Sequence, residues 1–203
     1  MGAVGLVLDP GSMKENIIGH IRKFVELDPR EESELLAFFA PTSYRKKEHL
    51  LELDSRNSLH FFVVKGCVRM YFVSSKGVEQ TTEFAIEGWW ITDHSSYGHQ
   101  QKSSFAIQAI EDTEVLAIDF QGQERLLERF PKMERYFRLI HRRAHAAAQF
   151  RTKYLFDYSR EEMYHHFHEN FPEFTQRVPQ HLLASYLNMT PEYLSGIKGK
   201  KRS

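Results

Sequence analysis

Polar and basic side chains concentrate at the C-terminal end of the chain, in the stretch HLLASYLNMTPEYLSGIKGKKRS from His181 to Ser203. Hydroxyl and carboxylate groups can hydrogen-bond to base edges, and Lys and Arg side chains attract phosphates. The residues predicted to face bases are Thr190, Glu192, Tyr193 and Ser195. The remaining DNA-binding candidates, most of them basic and suited to phosphates, are Arg177, Gln180, Lys198, Lys200, Lys201 and Arg202. The stretch therefore predicts a surface for double-stranded DNA.

Two short helices with a bend between them are predicted to position these side chains. The apolar face of the first helix consists of Leu182, Leu183, Tyr186 and Leu187. Asn188-Met189 can turn the chain, Thr190 is a good N-cap, and Pro191 suits the first turn of a second helix. In a helix-turn-helix, the first residues of the second helix face the bases of the major groove. An ordinary two-helix hairpin with a basic tail is the alternative interpretation.

The eleven histidines suggest metal binding, but their spacing does not support it. His141 and His145 stand one helical turn apart, and His165 and His168 are three residues apart. Neither pair has an acidic residue at a matching spacing, and the β-rich region lacks a His-x-His strand motif. We therefore predict no metal ion and no cofactor.

Sequence signatures of catalysis are also missing. The chain has no glycine-rich phosphate loop and no Gly-x-Ser-x-Gly elbow. No pair of carboxylates can be assigned to one pocket from the sequence. The pattern therefore favours a protein that is not an enzyme.

Charge is balanced in total but unevenly distributed. The chain has 203 residues, 41% of them apolar, with 27 Lys and Arg against 27 Asp and Glu. Between Lys132 and Arg160, eight basic residues stand against two acidic ones, and from Gln176 to Ser203 five stand against one. This asymmetry is typical of a sensor domain followed by a polyanion-binding domain, although solvated helix faces give similar counts.

The chain carries no signal for the membrane or for export. Its most apolar run, Leu59 to Val64, ends at Lys65 and is far shorter than the roughly 18 residues that span a bilayer. The single Cys67 cannot form an internal disulfide, which fits a reducing cytoplasm. Gly11-Ser12-Met13 resembles a cloning scar, so residues 1–12 are interpreted as an expression-tag remnant outside the fold.

Short β-rich segments separated by turn residues occupy the middle of the chain. The predicted strands are His49–Leu53, Ser58–Lys65, Cys67–Val73, Val78–Ala85, Trp89–Thr92, Phe105–Ile110 and Glu114–Ile118. Two helices are predicted before them, at Lys14–Leu27 and Glu31–Phe39. Strands at this spacing predict a β sandwich or β roll.

A long helix is predicted from Pro131 to Tyr158, with apolar positions alternating by three and four residues. The predicted contacts of a homodimer are Met133, Phe137, Ile140, Ala144, Ala147 and Tyr154. The alternative is that this stripe packs on its own β domain. Ser159 and Glu162 form a capping box that predicts a further helix to about Glu169, and residues 170–179 are interpreted as a connection.

Three segments carry a family resemblance: VKGCVRMYFVSSKG, AIEDTEVLAID and RVPQHLLASYLNMTPEYLSGI. They resemble bacterial regulators grouped with the cyclic-AMP receptor protein and the fumarate-nitrate regulator, especially divergent members of the Bacteroidetes type. The resemblance implies an α+β fold. An antiparallel cyclic-nucleotide-binding-like β-roll sensor (residues 13–130), a dimerisation helix (131–158) and a helix-turn-helix DNA-binding domain (159–203) are expected.

The effector region departs from what the resemblance implies. Members that bind cyclic nucleotide carry a Gly-Glu pair and, further on, an Arg, whereas Gly88 is followed here by Trp89 and Ser103 occupies the Arg position. Lys102 is adjacent but lacks the planar fork that grips a phosphate. The residues of this degenerate pocket are Gly88, Trp89, Trp90, Thr92, Lys102, Ser103 and Ser104. We expect no tight cyclic-AMP binding, and either an unidentified small molecule or no effector.

The DNA-binding end also departs from the resemblance. Gly196 stands where the cyclic-AMP receptor protein has an Arg that reads guanine, and no residues follow Ser203 to form a β-hairpin wing. Sequence discrimination is therefore expected to be poor, while attraction to phosphates remains. Two hypotheses follow: a dimeric cytoplasmic transcription regulator, or a β-roll ligand-binding or dimeric interaction module whose DNA-binding head has decayed.

Overall fold

The computed structural model of the chain describes residues 10–56, 59–99 and 101–200. Several residues of the predictions above lie outside these ranges: residues 1–9, Ser58, Lys201 and Arg202. The side chain of Lys200 is also outside the described part. Two helices begin the fold, α1 (Pro10–Ile21) and α2 (Pro29–Leu36).

Helix α1 begins four residues before the predicted start at Lys14. Pro10 lies at its first position, where a missing N–H costs nothing. Met13 is buried in the core, and Asn16 Nδ2 donates to Ser12 O over 3.0 Å. Excluding residues 10–12 from the fold was therefore wrong, because they form the first turn of a helix whose next residue packs in the core.

The β-rich region contains the strands β1 (Ala40–Tyr44), β2 (His49–Leu51), β3 (His60–Lys65), β4 (Val68–Val73), β5 (Glu79–Ala85), β6 (Trp90–Ile91), β7 (Ala106–Ala109) and β8 (Thr113–Ile118). They form two four-stranded sheets in the orders β1-β8-β3-β6 and β2-β7-β4-β5. Strands β1 and β3 pair antiparallel with β8, which places Phe62 opposite Leu116. The predicted strands are all present; six are shorter than predicted, and β8 begins one residue earlier, at Thr113.

Strand β1 was not predicted, because Pro41 cannot donate a ladder hydrogen bond. Its position explains how the strand tolerates the proline: β1 is the edge of its sheet, where one side of the backbone needs no partner. The turn between β3 and β4 requires Gly66, whose φ is +103°. A Cβ there would lie 2.7 Å from Thr113 Cα.

Helix α3 (Phe120–Arg129) follows β8 and was also not predicted. Its N-cap is Asp119, whose side chain accepts the N–H of Gly122. A Cβ on Gly122 would lie 2.9 Å from Asp119 Oδ1, so the glycine allows a close cap. A glycine in the first turn weakens the helical pattern in the sequence, which explains the omission.

Helix α4 (Met133–Asp157) is the predicted long helix, and its first part packs on the β domain. Met133 and Phe137 are 0% and 4% exposed in a core that includes Phe62, Trp90 and Leu116. Ile140 packs against the same core. Assigning Met133 and Phe137 to a dimer interface was wrong, because their own domain buries them, whereas Ile140 is only partly buried.

The C-terminal helices are α5 (Arg160–Asn170), α6 (Pro172–Arg177), α7 (Gln180–Tyr186) and α8 (Pro191–Lys200). The capping box at the start of α5 is confirmed: Ser159 Oγ accepts from Glu162 N, and Glu162 Oε2 accepts from Ser159 N. Helix α6 lies where a connection was predicted. It was missed because six residues starting at Pro172 are too few to show a helical period in the sequence.

The described residues divide into two compact units. The first runs to Arg69 and continues over Ala85–Ile140, and the second combines Met70–Phe84 with the chain from His141 onward. The second unit therefore contains the β4–β5 hairpin as well as the C-terminal helices. Among the helices described, none has the length and apolar character to span a membrane.

Candidate DNA-binding site and effector region

The bend between α7 and α8 has the predicted form. Asn188 takes a left-handed conformation with φ of +56°, which Asn tolerates better than most residues. Met189 N donates to Ala184 O over 3.0 Å and closes the turn. Thr190 Oγ1 then accepts the N–H of Tyr193 at 3.2 Å, so Thr190 caps α8 as expected.

A small apolar core holds the two helices against each other. Its buried side chains are Leu182, Leu183, Ala184, Leu187, Met189, Leu194 and Ile197. The small side chain of Ala184 lies in α7, between the two buried leucines of that helix and the turn. Tyr186 does not join the predicted apolar face toward α8, because its ring packs on Phe84 with centroids 5.1 Å apart.

The predicted base-facing residues all lie at the surface of the helix pair. Thr190, Glu192, Tyr193 and Ser195 are all exposed, whereas Leu194 and Ile197 point inward. Lys198 is partly exposed one turn further along. Four hydrogen-bonding side chains thus stand along the first two turns of α8. That is the arrangement that base readout from a helix requires.

The other candidates lie before α7. Arg177 ends α6 and Gln180 begins α7, and both are partly exposed. Lys200 ends α8 with its side chain outside the described part, as are Lys201 and Arg202. The structure therefore describes the side chains of seven of the ten predicted DNA-binding residues, and five of these seven lie on α8 or its N-cap.

Gly196 leaves a gap on the exposed side of α8. It is exposed, and a Cβ built there would meet nothing within 4 Å. A side chain at this position would therefore point into open space without disturbing the core. Gly196 removes a possible contact without serving any local packing need.

One basic residue near α8 was missed by the sequence analysis. Arg160 begins α5, and its guanidinium lies 5.8 Å from the ring centroid of Tyr193. A cation at this distance is attracted by the ring face. Nothing in the sequence indicated this contact, because Arg160 is one basic residue among many and lies 33 positions before Tyr193.

The exposed face of α4 differs from the predicted seam. Within the second unit, Tyr154 stacks on Tyr158 at 5.0 Å and contacts His166 at 4.4 Å between ring centroids, so its own helices partly cover it. Ala144 and Ala147 are exposed. The outer face of α4, as we call it, consists of Ala144, Ala148, Thr152, Leu155 and Phe156. Phe156 is 88% exposed.

A buried carboxylate dominates the effector region. Asp93 accepts hydrogen bonds from Ser95 N (2.9 Å), Ser95 Oγ (2.6 Å), Ser103 Oγ (2.7 Å) and Ser104 N (3.2 Å). Burial would raise the pKa of Asp93, but these hydrogen bonds outweigh it and hold the pKa below its ordinary value. A fixed negative charge therefore occupies this region. Asp93 was not among the predicted residues.

The remaining residues of the predicted pocket do not form one cavity wall. Trp90 is buried, and its Nε1 donates to Tyr136 Oη over 2.7 Å. Trp89 points away from that core and is 45% exposed. Lys102 lies at the surface, 3.7 Å from Asp54. A cavity of about 360 Å³ elsewhere in this unit is lined by other residues, among them Phe38 and Ile118.

Gly88 has a structural role in this region, and Thr92 is buried in it. Gly88 has φ of +81°, which favours glycine, and its N–H donates to Val63 O over 2.9 Å. Thr92 is buried, with no hydrogen-bond partner for its hydroxyl within the described residues.

Metal ligands are not brought together in the described ranges: no group of three or more His, Cys, Asp or Glu side chains there could hold an ion.

Residues 41–130 match the family model of the Cyclic nucleotide-binding domain. The chain is also similar to solved structures of regulators. FixK2 from Bradyrhizobium japonicum is 20% identical, with 80% of this chain and 83% of that chain covered at a TM-score of 0.65. The regulator CLP of Xanthomonas campestris, described as c-di-GMP responsive, is 15% identical, with 86% and 92% covered at a TM-score of 0.69.

The Catabolite Activator Protein of Thermus thermophilus gives a third likeness, at 20% identity, 86% and 83% coverage and a TM-score of 0.54. No curated protein sequence matches the chain. At these identities the likenesses show the fold. The fold-class prediction is therefore confirmed: an antiparallel β jelly roll with flanking helices is followed by a C-terminal helical region.

Proposed function

We propose that this protein is a DNA-binding transcription regulator of the Crp/Fnr type, in a divergent form similar to Bacteroidetes members. One observation carries the proposal: Thr190, Glu192, Tyr193 and Ser195, at the N-cap and in the first two turns of α8, are all exposed, while the same helix buries Leu194 and Ile197. Because these groups point outward, a duplex can approach them without any rearrangement of the helix pair. The likeness to solved regulators supports the same role.

The partner in this proposal is double-stranded DNA, bound by a homodimer. Leu155 and Phe156 on the outer face of α4 are large apolar side chains that the second unit leaves exposed. A second copy would cover them, and small Ala144 and Ala148 would let two helices approach closely. Two copies of α8 would then lie about 34 Å apart along a palindromic site. We also propose a cytoplasmic location and no enzymatic activity.

We further propose that the effector region does not bind cyclic AMP tightly. Ser103 and the N–H of Ser104 already hydrogen-bond to Asp93. A cyclic phosphate there would have to displace a carboxylate and would meet its negative charge, while Ser103 offers no cation. Isothermal titration tests this proposal, and a low-micromolar affinity for cyclic AMP would contradict it.

Duplex binding should be tested first with random sequence. Binding fragments are selected from a pool of random duplexes, and the affinity of the best one is measured by fluorescence anisotropy from 50 to 200 mM salt. A regulator that neutralises several phosphates loses affinity steeply over this range. Glu192→Ala is compared with the same substitution at exposed Glu173. A larger loss of affinity at Glu192 separates a base contact from the general effect of removing a negative charge.

The second candidate function is a β-roll binding module with a decayed DNA-binding head. Gly196 favours it, because no local packing requires a glycine there. This alternative predicts no binding to any duplex, even at 50 mM salt. It keeps the proposed dimer, so chain mass in solution does not distinguish the two candidates and duplex binding does.

A further inference from the structure

Helix α7 is fastened to the free edge of strand β5 within the second unit. Thr81 N donates to Ser185 Oγ over 2.9 Å, and Ser185 Oγ donates to Glu79 O over 3.1 Å. Gln80 Nε2 donates to Ser185 O. Strand β5 is the edge of its sheet, and Thr81 N and Glu79 O are backbone groups of this edge strand. Ser185 is the residue through which strand and helix are joined.

Arg151 of α4 joins the same contact from a third element. Its Nη2 donates to Tyr186 O over 2.8 Å and to Thr81 O over 3.5 Å. Its guanidinium also lies 4.4 Å from the ring centroid of Tyr186. A cation at the last carbonyls of a helix is favourable. Arg151 therefore bridges the long helix, the strand and α7.

Glu83 lies two residues beyond Thr81 and thus on the same side of β5. Its side chain is half-buried. The charged group that acts on it from α4 is Arg151, and the titratable group that interacts with it from α7 is Tyr186. Burial raises the pKa of Glu83 to about 7, and Arg151 opposes the rise. Glu83 therefore changes charge near neutral pH while it faces the fastening residues.

We propose that the contact between β5 and α7 is a proton-sensitive latch that holds the helix pair α7–α8 ready for DNA, with Ser185 and Arg151 as its fastening residues and Glu83 as its titrating group. This inference rests on the proposed DNA binding. The latched helix pair keeps the outer side of α8 exposed, so latching does not block the duplex. The latch restricts α8 before DNA binds, so α8 loses less conformational entropy when it binds the duplex.

The direction of the pH effect follows from linkage. Burial disfavours the ionised form of Glu83 in the latched state, and an unlatched Glu83 regains its ordinary affinity for protons. Raising the pH through about 7 therefore loosens the latch. A Glu83→Gln variant keeps the shape of the protonated side chain and stays latched.

The first experiment measures duplex affinity between pH 6.0 and 8.5 at constant salt. The wild type should lose about tenfold more affinity over this range than Glu83→Gln. Glu79→Gln is the matched control, because it removes the same charge from an exposed position of the same strand and should follow the wild type. Ser185→Ala should bind about five- to tenfold more weakly than the wild type at pH 6.0, and the difference should shrink at pH 8.5, where the wild-type latch is already loosened. Tighter binding by Ser185→Ala would overturn the proposal, because the contact would then be inhibitory.

The second experiment needs no DNA. Spin labels on cysteines introduced at exposed Lys76 and His181, in a Cys67→Ala background, report the distance between the β4–β5 turn and α7. The wild-type distance distribution should be narrow at pH 6.0 and broad at pH 8.5, and Glu83→Gln should stay narrow. A wild-type distribution that does not change with pH overturns the latch. Broadening without any duplex binding upholds the latch and refutes the proposed function.

Discussion

The hydroxyl of Ser103 donates a hydrogen bond of 2.7 Å to the buried carboxylate of Asp93, at the position where the family resemblance implies an Arg for a cyclic phosphate. The same carboxylate receives the N–H of Ser104. The Ser103 hydroxyl and the Ser104 N–H could have donated to a bound anion, but both donate to Asp93 instead. The residue that replaced the Arg therefore also stabilises the loop around it.

The pair gives a first prediction about stability. Ser103→Ala leaves Asp93 buried with one hydrogen bond fewer, so the free energy of unfolding should fall by about 1 to 3 kcal/mol. Ser104→Ala is the matched control, because Ser104 serves Asp93 through its backbone N–H and its side chain is exposed. Urea denaturation of both variants measures the difference. Equal values for the two would show that the hydroxyl contributes nothing.

A second prediction concerns the open space at Gly196. Gly196→Ala should raise the free energy of unfolding by about 0.5 to 1 kcal/mol, because alanine is the better helix former and meets no neighbour. Gly196→Arg should improve discrimination at one G·C pair by about 1 to 3 kcal/mol. Anisotropy against duplexes with single base-pair changes measures this discrimination.

Gly199→Arg is the control for charge. Gly199 also has open space and lies one turn further along α8. An added cation there should strengthen binding to all duplexes to a similar extent, since phosphate contacts carry no sequence information. If Gly196→Arg behaved in the same way, the reading role assigned to this side of α8 would be wrong.

Caps and turns could be predicted correctly from the sequence, because residues close together in the chain determine them. Ser159 and Glu162 cap α5 as predicted, and Asn188 makes the predicted bend. The turn residues Gly66 and Gly77 separate the predicted strands and take positive φ. These features depend on residues a few positions apart, so one stretch of sequence contains all the information.

Several of the failures share a cause, which is dependence on distant partners. Strand β1 exists because it pairs with β8, some 70 residues later. The three-to-four pattern of α4 was detected correctly, but a period cannot say what covers the stripe. Tyr154, for example, contacts His166 of its own chain. The Asp93 cluster and the contact of Arg160 with Tyr193 likewise depend on tertiary structure.

A third prediction concerns pH and stability through Glu83. Its folded pKa of about 7 lies above the ordinary value of 4.5. For an acid with a raised folded pKa, the stabilisation is complete below the unfolded pKa and is lost as pH rises through the folded one. The free energy of unfolding should therefore fall by about 1 to 3 kcal/mol between pH 4.5 and 8 because of this group. Urea denaturation of the wild type and Glu83→Gln measures the difference, which Glu79→Gln should not reproduce.

The fourth prediction tests the outer face of α4. Ala148 is exposed on this face, between Ala144 and Leu155. In a dimer packed through these residues, Ala148→Glu would bury two like charges without partners, which should dissociate the pair. Light scattering should give the mass of two chains for the wild type and of one chain for Ala148→Glu. Arg142→Glu changes the charge of an exposed residue on a different side of α4 and should remain dimeric. A wild-type mass of one chain would contradict the dimer, and dissociation by Arg142→Glu alone would place the interface on another side of the helix.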